Sequence, residues 1–399
     1  MSDPARMPTA TTAAYDVVII GGGAIGMATA YYLRSTDPGC RIAVVERDPA
    51  YTLASTPRAS GGVRRLFARP ENILLSNFSI PVFERFGELM AVDGECPDIG
   101  FRRNGYLFIV PPAGVETLRR NFERQASLGA NVAWLDPPAL RQRFPSMRVD
   151  DLGAAVHSPD DGWLDPYATL MALRRKARAL GAELIAAEAA TITVRDRLVR
   201  EVALADGTSL RTNFVVNAAG AWAPLVCAMV GMRAPITPLR RFEHYFECEE
   251  PIEPLPYVKD VNRLAFRPEG RGYSGGVPTL HEPRGYNFEA DHGYFEAAVW
   301  PALAHRFRQF ERTKCKATLP GLYDQNDLDG NPIIGPWTGT CENFLMAAGF
   351  SGHGLMHAPA TGRALAELIL RGRYETIDLT RLGWARIERG EPYAEAGII

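Results

Sequence analysis

The stretch Tyr15-Asp-Val-Val-Ile-Ile-Gly-Gly-Gly-Ala-Ile-Gly-Met-Ala28 decides the fold of this chain, because an apolar strand runs directly into a glycine turn and a helix. In such a turn Gly21 reverses the chain, Gly23 lets a pyrophosphate approach the backbone, and Gly26 lets the helix pack closely on the strand. The N-terminus of the helix favours an anion. The stretch therefore predicts a dinucleotide-binding site near the start of the chain.

An acidic residue completes the pattern. Glu46 follows a second apolar strand, residues 42–45, about twenty residues after the last glycine of the turn. A carboxylate there can accept hydrogen bonds from the ribose hydroxyls of an adenosine and would repel a 2′-phosphate, so NADP is not expected. Ala24 and Ile25 in the turn, and Arg47 beside the acid, are expected to contact the same ligand. The alternative is a glycine turn that only packs.

Composition excludes several classes of protein. The 399-residue chain is long enough to bury a large core and to form two domains, and its net charge of -2 argues against a nucleic-acid surface. The six cysteines lack CxxC spacing, so no metal site is expected and a reduced, cytoplasmic setting fits. No apolar run of about twenty residues occurs, so we expect no transmembrane segment.

The order of predicted elements changes along the chain. Helices over residues 24–33 and 71–90 alternate with strands, which is typical of a doubly wound sheet. A strand over residues 104–110 then predicts the start of a second domain. The later predictions are helices over 114–126, 165–180 and 290–311, a helix start at Pro137, short strands over 191–216 with a turn at Asp206-Gly207, and sheet strands over 235–276.

Two further glycine segments lie in the middle and near the end of the chain. Asn217-Ala-Ala-Gly-Ala-Trp222 places small residues after an apolar strand, and Gly349-Phe-Ser-Gly-His-Gly354 precedes a helix predicted over residues 359–370. Strand–glycine–helix elements at both ends of a chain make sense if they converge on one long ligand such as FAD. NAD alone would not need both.

Together these segments resemble a known family. The ordered motifs Gly21-x-Gly-x-x-Gly26, Ser60-Gly-Gly-Val-Arg64, Asn217 to Trp222, Asp329-Gly-Asn-Pro-Ile-Ile-Gly335 and Gly349 to Gly354 are similar to those of D-amino-acid-oxidase-type FAD-dependent oxidoreductases. The resemblance covers nearly the whole chain. It is strongest to the branch of monomeric sarcosine oxidase and glycine oxidase.

The resemblance implies an α/β fold in which an FAD-binding, Rossmann-like domain of the p-hydroxybenzoate-hydroxylase type is interleaved with an antiparallel-sheet α+β substrate domain. It places residues 14–90, 150–225 and 320–385 in the FAD-binding domain, and residues 91–149 and 226–319 in the substrate domain. It also implies oxidation of a C–N bond in an amine or amino acid, with a secondary amino acid favoured. The electron acceptor would be oxygen or an electron carrier.

The resemblance also assigns site residues. Arg64 matches the family arginine beneath the flavin ring, with a surface arginine as the alternative, and His353 is expected to contact the cofactor and not to carry protons. His357 is either a site residue or an ordinary helix histidine. The remaining predicted cofactor contacts are Ser60, Gly61, Gly62, Ala219, Gly220, Trp222, Gly349, Ser351, Gly352, Gly354 and Leu355.

The chain departs from this family where a substrate carboxylate would be held. Phe67 stands in place of the family arginine, and Met356 in place of the partner lysine. The clamp is therefore replaced by another arginine, or the substrate is a larger and more apolar amine. The candidate arginines are Arg65, Arg69, Arg240 and Arg241, although the last two could instead form a solvated strand edge.

Two further departures concern the flavin. The covalent cysteine of sarcosine oxidases falls near Gly321 or Leu322, and no histidine accompanies Ser55-Thr56, so noncovalent FAD is expected. The lysine that assists oxygen reduction falls near Ser274. Lys259 could substitute for it, but a surface lysine is the interpretation we favour.

Three hypotheses follow from the sequence. The leading one is an FAD-dependent amine or amino-acid oxidoreductase. The second is a flavin dehydrogenase acting on a hydroxy acid, which would require His281, His292 or His357 as a base near the α-hydroxyl. The third is a flavin-binding assembly protein with little turnover.

Overall fold

The structure is a computed structural model that describes residues 12–260, 263–279 and 281–397. Within these ranges the strands, in chain order, are β1 (Thr12–Ile20), β2 (Ile42–Glu46), β3 (Gly62–Val63), β4 (Tyr106–Val110), β5 (Ala133–Leu135), β6 (Ala154–Ser158), β7 (Gly162–Trp163), β8 (Glu183–Ala186), β9 (Ala189–Arg195), β10 (Leu198–Leu204), β11 (Ser209–Asn217), β12 (Ile236–Cys248), β13 (Tyr257–Lys259), β14 (Ala265–Glu269), β15 (Gly272–Gly276), β16 (Thr313–Asn326), β17 (Ile333–Trp337) and β18 (Cys341–Ala348).

The α-helices of the same ranges are α1 (Ala24–Thr36), α2 (Pro70–Glu84), α3 (Phe86–Leu89), α4 (Val115–Ser127), α5 (Pro137–Arg143), α6 (Pro166–Ala179), α7 (Ala223–Met229), α8 (Trp300–Arg306), α9 (Gly354–Arg371) and α10 (Trp384–Glu388). Short 3₁₀ turns occupy Thr56–Arg58, Pro112–Gly114, Gly220–Trp222, Arg308–Arg312 and Thr380–Leu382, and one π turn occupies Phe295–Val299.

The first sheet brings the two ends of the chain together. Its order is β17-β18-β11-β1-β2-β8, with β10 and β9 added beside β11. The central pairs from β18 to β8 are parallel, so the carboxyl ends of β1, β11 and β18 lie at one edge, where ligands bind in such sheets. Each of these three strands runs into one of the glycine segments.

Two helices from opposite ends of the chain pack on this sheet in close contact. A Cβ atom added to Gly362 of α9 would lie 2.5 Å from the carbonyl carbon of Ala28 in α1, so only glycine permits this approach. Apolar residues of α1, α2, α6 and α9 share one core with the inner strands. The glycine loop at residues 349–354 is thereby fixed beside the glycine turn at residues 21–26.

The second sheet has two different faces. Its order is β16-β12-β15-β14-β13-β4-β6-β5, antiparallel except for the pair β13–β4. Alternate side chains such as Phe246, Val258 and Phe266 are buried against the segment that carries Phe307 and Phe310. Because strand side chains alternate between faces, the intervening residues face the first sheet and roof the space beside it.

The α/β class and the two interleaved sheets agree with the fold predicted from the sequence. The domain boundaries stay predictions, and two strands of the second sheet lie wholly or partly in segments assigned to the FAD-binding domain. Strand β6 pairs with β4 and β5 in the second sheet, although it lies beyond residue 150. Strand β16 continues in the same sheet past residue 320.

Three predicted helices differ in extent from those observed, each at a proline. The single helix predicted over 71–90 is divided at Arg85, shortly after Pro81, which cannot donate a backbone hydrogen bond. The helix predicted over 290–311 is a π turn, a short α-helix and a 3₁₀ turn, with Pro301 at their junction. Pro359 lies inside α9, which begins earlier, at Gly354.

Within the described residues, no helix has the length and apolar character needed to span a membrane.

Candidate active site

The first glycine turn has the geometry that the sequence predicts. Gly21 has φ +104°, and a Cβ atom there would lie 2.4 Å from the carbonyl oxygen of Ala218. A Cβ atom on Gly26 would lie 2.0 Å from the carbonyl oxygen of Gly21. At Gly23 the nearest atom is Thr56 Oγ1, at 3.6 Å. Two of these glycines are thus required by the protein's own packing, whereas Gly23 borders open space.

Glu46 holds the turn from the neighbouring strand. Its carboxylate accepts hydrogen bonds from the backbone N–H groups of Gly22 and Asp48, each at 2.8 Å. The same side chain lines the cavity described below. Each carboxylate oxygen can accept more than one hydrogen bond, so Glu46 can still receive a ribose hydroxyl.

The segment from Asn217 to Trp222 lies beside the first glycine turn. Strand β11 pairs with β1 so that Asn217 lies opposite Ile20, which places Ala219 and Gly220 at the mouth of the turn. Trp222 packs against the guanidinium of Arg47, with the guanidinium carbon 4.4 Å from the ring centroid. The rings of Tyr286 and Phe288 also stack with the indole, with centroid distances of 5.6 and 6.5 Å. The sequence analysis missed these two aromatic residues.

The late glycine loop is held by a buried carboxylate. Asp324 Oδ2 accepts hydrogen bonds from the backbone N–H groups of Gly349 at 2.7 Å and Phe350 at 3.1 Å. Burial raises the pKa of Asp324 to about 6, although these hydrogen bonds oppose the shift. Ser351 lies behind the loop, where its hydroxyl accepts a hydrogen bond from the backbone of Asn326. Ser351 thus supports the loop from outside the cavity.

Replacing Asp324 with alanine is expected to destabilise the protein by about 2–4 kcal/mol, because two buried N–H groups lose their acceptor. Replacement with asparagine retains one acceptor oxygen and should cost less. Denaturant unfolding and release of bound FAD would measure both effects. If Asp324→Ala unfolds like the wild-type protein, Asp324 does not hold the loop.

The three glycine segments enclose one cavity of about 270 Å³. Most of the predicted cofactor contacts line it, namely Gly21, Gly23, Ala24, Ile25, Glu46, Arg47, Ser60, Ala219, Gly220, Trp222, Gly352, Gly354 and Leu355. Gly26, Gly61, Gly62, Gly349 and Ser351 are not part of this lining and shape the turns from outside it, and His353 is not part of it either. The sequence analysis missed other lining residues, among them Thr56, Arg58, Glu188, Leu225, Tyr323 and Asp324.

A buried arginine and a histidine meet beneath the second sheet. The Arg64 side chain is 2% exposed, and its Nη2 lies 3.2 Å from Nε2 of His353. Its guanidinium carbon lies 4.0 Å from the ring centroid of Phe67 and 5.1 Å from that of Phe108. Arg64 also donates to the backbone carbonyl of Leu66. It is therefore fixed in an aromatic enclosure and is not a surface arginine.

The histidine of this pair is neutral. Burial lowers the pKa of His353 well below its usual value, and the charge of Arg64 lowers it further. Because arginine can only donate, Nε2 must accept, and the proton lies on Nδ1. That Nδ1 is buried and has no partner among the described residues. His353 therefore presents an unused donor, as expected of a cofactor contact.

These features fit FAD. The open space at Gly23 suits a pyrophosphate, Glu46 suits a ribose, and the free Nδ1 donor beside Arg64 suits the polar edge of a flavin. Among the described residues, the lining of this cavity includes no cysteine and no histidine, and noncovalent attachment stays a prediction. Cys315, the cysteine nearest in the sequence to Gly321, contacts Ala317 and Thr318 near the start of β16 and does not line the cavity.

Three residues predicted to bind substrate lie in the interior. Phe67 and Met356 belong to the core around α1, α2 and α9, although the Phe67 ring does contact Arg64 and His353. His357 is fully buried, with Nε2 3.2 Å from Ser76 Oγ. Burial lowers the pKa of His357 to about 3. Its Nδ1, like that of His353, is buried and has no partner among the described residues, so both interpretations of His357 stay predictions.

The structure separates the two adjacent arginines of β12. Arg240 pairs with Glu282 at 2.6 Å and donates to the carbonyl of Glu289. Arg241 lines the cavity, where its guanidinium carbon lies 5.5 Å from the ring centroid of Tyr323. Only Arg241 of this pair therefore faces the cavity.

The roof over Arg64 carries polar side chains that the sequence analysis missed. Tyr106 and Tyr257 stack at 4.3 Å, and a Cβ atom on Gly62 would lie 2.9 Å from the Tyr257 ring. On β12, Glu243 lines the cavity and accepts a hydrogen bond from Ser274 Oγ at 2.6 Å. Burial raises the pKa of Glu243 to about 6. The alternation of polar and apolar residues along β12 and β13 could have indicated that one face of these strands carries polar side chains.

The interpretation of Lys259 as a surface lysine is wrong. Burial, together with the positive charges of Arg64 and Arg263, lowers the pKa of Lys259 to about 7. The charge of Lys259 also contributes to the lowered pKa of His353. The lysine therefore lies close to the Arg64–His353 pair.

Among the described residues, no group of histidine, cysteine or acidic side chains is arranged to hold a metal ion.

Comparison with known proteins gives close relatives over nearly the whole length. FAD-dependent oxidoreductase domain-containing protein 1 of Xenopus laevis is 35% identical over 96% of this chain and 85% of that protein. Mitochondrial sarcosine dehydrogenase of Mus musculus is 30% identical over 95% of this chain but only 43% of that protein. The chain thus matches less than half of the longer enzyme.

Solved structures show the same fold. L-proline dehydrogenase from P. horikoshii superposes with a TM-score of 0.83 and 27% identity, over 96% of this chain and 100% of that one. Glycine oxidase from Geobacillus kaustophilus gives a TM-score of 0.79 at 23% identity, over 93% and 98%. The model of the FAD dependent oxidoreductase family, DAO, matches residues 16–368. The chain belongs to the D-amino-acid-oxidase-type family of FAD-dependent oxidoreductases.

Proposed function

We propose that this protein oxidises the C–N bond of an amine or amino acid, with a secondary amino acid favoured, to an imine that water then hydrolyses. The observation that carries the proposal is the buried Arg64 guanidinium held against a neutral His353 beneath an aromatic roof. The names of two relatives, sarcosine dehydrogenase and L-proline dehydrogenase, support an amino acid with a secondary amine.

When bound, FAD supplies a ring that accepts a hydride from the carbon beside the substrate nitrogen. Arg64 contributes a fixed positive charge in a site of low dielectric, where it stabilises developing negative charge without reorganisation. His353 donates through Nδ1 and does not take up a second proton, because burial and neighbouring positive charges hold its pKa well below its usual value. The residues thus orient and stabilise, and no proton carrier is required at His353.

The roof completes the enclosure. The stacked rings of Tyr106 and Tyr257 lie directly above Gly62, two residues before Arg64. Exclusion of water by these rings would strengthen the electrostatic effect of Arg64 and protect the imine from premature hydrolysis. Positioning of substrate between roof and cofactor would then supply much of the rate enhancement.

The hydroxy-acid alternative required a histidine base. His281 and His292 are exposed on the segment between β15 and α8, and His357 is buried against Ser76. The two exposed histidines have no contact with Arg64 or His353 among the described residues, and His357, whose pKa is lowered to about 3, is a poor base. The described geometry therefore favours an amine, which can release a hydride from its neutral form without a strong base.

Anaerobic addition of candidate substrates to the purified yellow protein would test the proposal. The panel contains N-alkyl amino acids, D- and L-amino acids, cyclic imino acids and hydroxy acids. We expect rapid bleaching by an N-alkyl or cyclic amino acid, and release of flavin on acid precipitation. Readmitted oxygen would then distinguish an oxidase from a dehydrogenase that uses an electron carrier.

Two results would contradict the proposal. Bleaching by hydroxy acids alone would support the second hypothesis. A protein that retains FAD but is bleached by no member of the panel would support the assembly hypothesis.

A further inference from the structure

Lys259 lies on the face of the second sheet that carries the contacts to Arg64, because of its place in β13. Its neighbours Val258 and Asp260 point to the opposite face of the sheet, where Val258 is fully buried in the apolar core that contains Phe307 and Phe310. Asp260 is bound there by Arg306 at 2.6 Å. Since strand side chains alternate, Lys259 must point towards the first sheet, as Tyr257 does.

The pairing of β13 with β4 fixes what Lys259 lies beside. Lys259 is opposite Phe108, whose ring centroid lies 5.1 Å from the guanidinium carbon of Arg64. The lysine side chain keeps partial exposure although burial lowers its pKa to about 7. Lys259 is therefore a half-buried amine beside other cations and not a freely solvated surface lysine.

Lys259 has no nearby carboxylate among the described residues, whereas the charge of Arg64 is partly offset by Glu395 and Asp161. Lys259 makes no hydrogen bond or ion pair with residues 12–260, 263–279 or 281–397. Glu243, on the same face of the sheet, lies three strands away, or roughly 14 Å at the usual strand spacing. Buried cations are normally paired, so the arrangement calls for an anionic ligand.

The arginines considered as replacements for the missing carboxylate clamp are mostly engaged. Arg65 is bound by the buried carboxylate of Asp161 at 2.9 Å, and Arg240 by Glu282. Arg69 donates to the carbonyl of Ala394. Arg241 lies on β12 and not beside Arg64.

We propose that the Lys259 ammonium, supported by the charge of Arg64, binds the carboxylate of the substrate and so selects amino acids over simple amines. This inference rests on the proposed function and deepens it. The carboxylate would lie beneath β13, which directs the amine-bearing carbon towards the Arg64–His353 pair. Lys259 thereby takes over the role that Phe67 and Met356 cannot perform.

Binding of benzoate to the FAD-loaded protein tests this without turnover. Benzoate should perturb the flavin absorption spectrum, whereas benzamide, its neutral analogue, should not. In Lys259→Met we expect the dissociation constant for benzoate to rise by about tenfold or more, because a charged hydrogen-bond donor is lost. Lys316→Met is the control, since Lys316 is exposed and faces Glu247 at 3.7 Å.

A Lys259→Arg variant, which retains the charge, should keep most of the benzoate affinity, and FAD content confirms that each variant is folded. An unchanged benzoate affinity in Lys259→Met would overturn the proposal, as would slower reoxidation by oxygen as its sole defect. If no amine reduces the wild-type protein while benzoate binding still depends on Lys259, amine oxidation fails and the anion site stands.

Discussion

Replacing Arg64 with methionine is expected to slow reduction of the bound flavin by substrate about 10²–10³-fold, the usual cost of removing one preorganised electrostatic contact. The guanidinium is 2% exposed and is held by His353 and the Leu66 carbonyl, so its charge is fixed in place before the substrate binds. Methionine fills similar space without charge. Stopped-flow reduction under anaerobic conditions would measure the effect.

Matched variants separate charge from packing. Arg64→Lys retains a positive charge and should recover part of the rate. Arg69→Met removes a guanidinium from the same loop, but that group donates only to the carbonyl of Ala394 and packs on Tyr393, so the rate should not change. The reduction potential of the flavin should also fall in Arg64→Met. A normal rate and potential in that variant would remove Arg64 from the reaction.

Replacing Gly23 with alanine is expected to give a folded but colourless protein. The added methyl group would meet no protein atom closer than Thr56 Oγ1 at 3.6 Å, so the fold should be unaffected. It would instead occupy the space through which the pyrophosphate approaches the backbone. Absorbance at the flavin maximum and the melting temperature of the apoprotein report the two effects separately.

Gly293 provides a control of the same steric kind. A Cβ atom there would also meet its nearest atom, Asp291 Oδ1, at 3.6 Å, and the residue lies in the segment before α8, outside the cavity. Gly293→Ala should therefore remain yellow. If Gly23→Ala binds FAD as tightly as Gly293→Ala, the first glycine turn does not hold the cofactor.

Local features of the sequence were enough to predict the glycine turns. Gly21 and Gly26 are required by contacts within a few residues or with the adjacent strand, so their spacing alone indicates the turn. The family resemblance then ordered the later motifs around one ligand. The helix interruptions near Pro81 and Pro301 could have been expected, because proline cannot donate a backbone hydrogen bond. Apolar residues at helical spacing instead suggested continuous helices.

The roof of the site could not be predicted in the same way. Lys259 lies near Arg64 only because β13 pairs with β4 from a distant part of the chain. Glu243 likewise depends on the register of β12 with its neighbours. Pairing between strands far apart in the sequence leaves no local pattern except the alternation of side chains. This alternation separates the residues into two faces, but it does not show which face lies against the ligand.

The most direct test of amine oxidation is anaerobic reduction of the yellow protein by an N-methyl amino acid, with and without deuterium on the carbon to be oxidised. We predict that the amino acid bleaches the flavin and that deuterium slows the bleaching, because the C–H bond breaks in that step. Bleaching at the same rate with both isotopes would contradict rate-limiting hydride transfer, and no bleaching by any amine would contradict the proposed function itself.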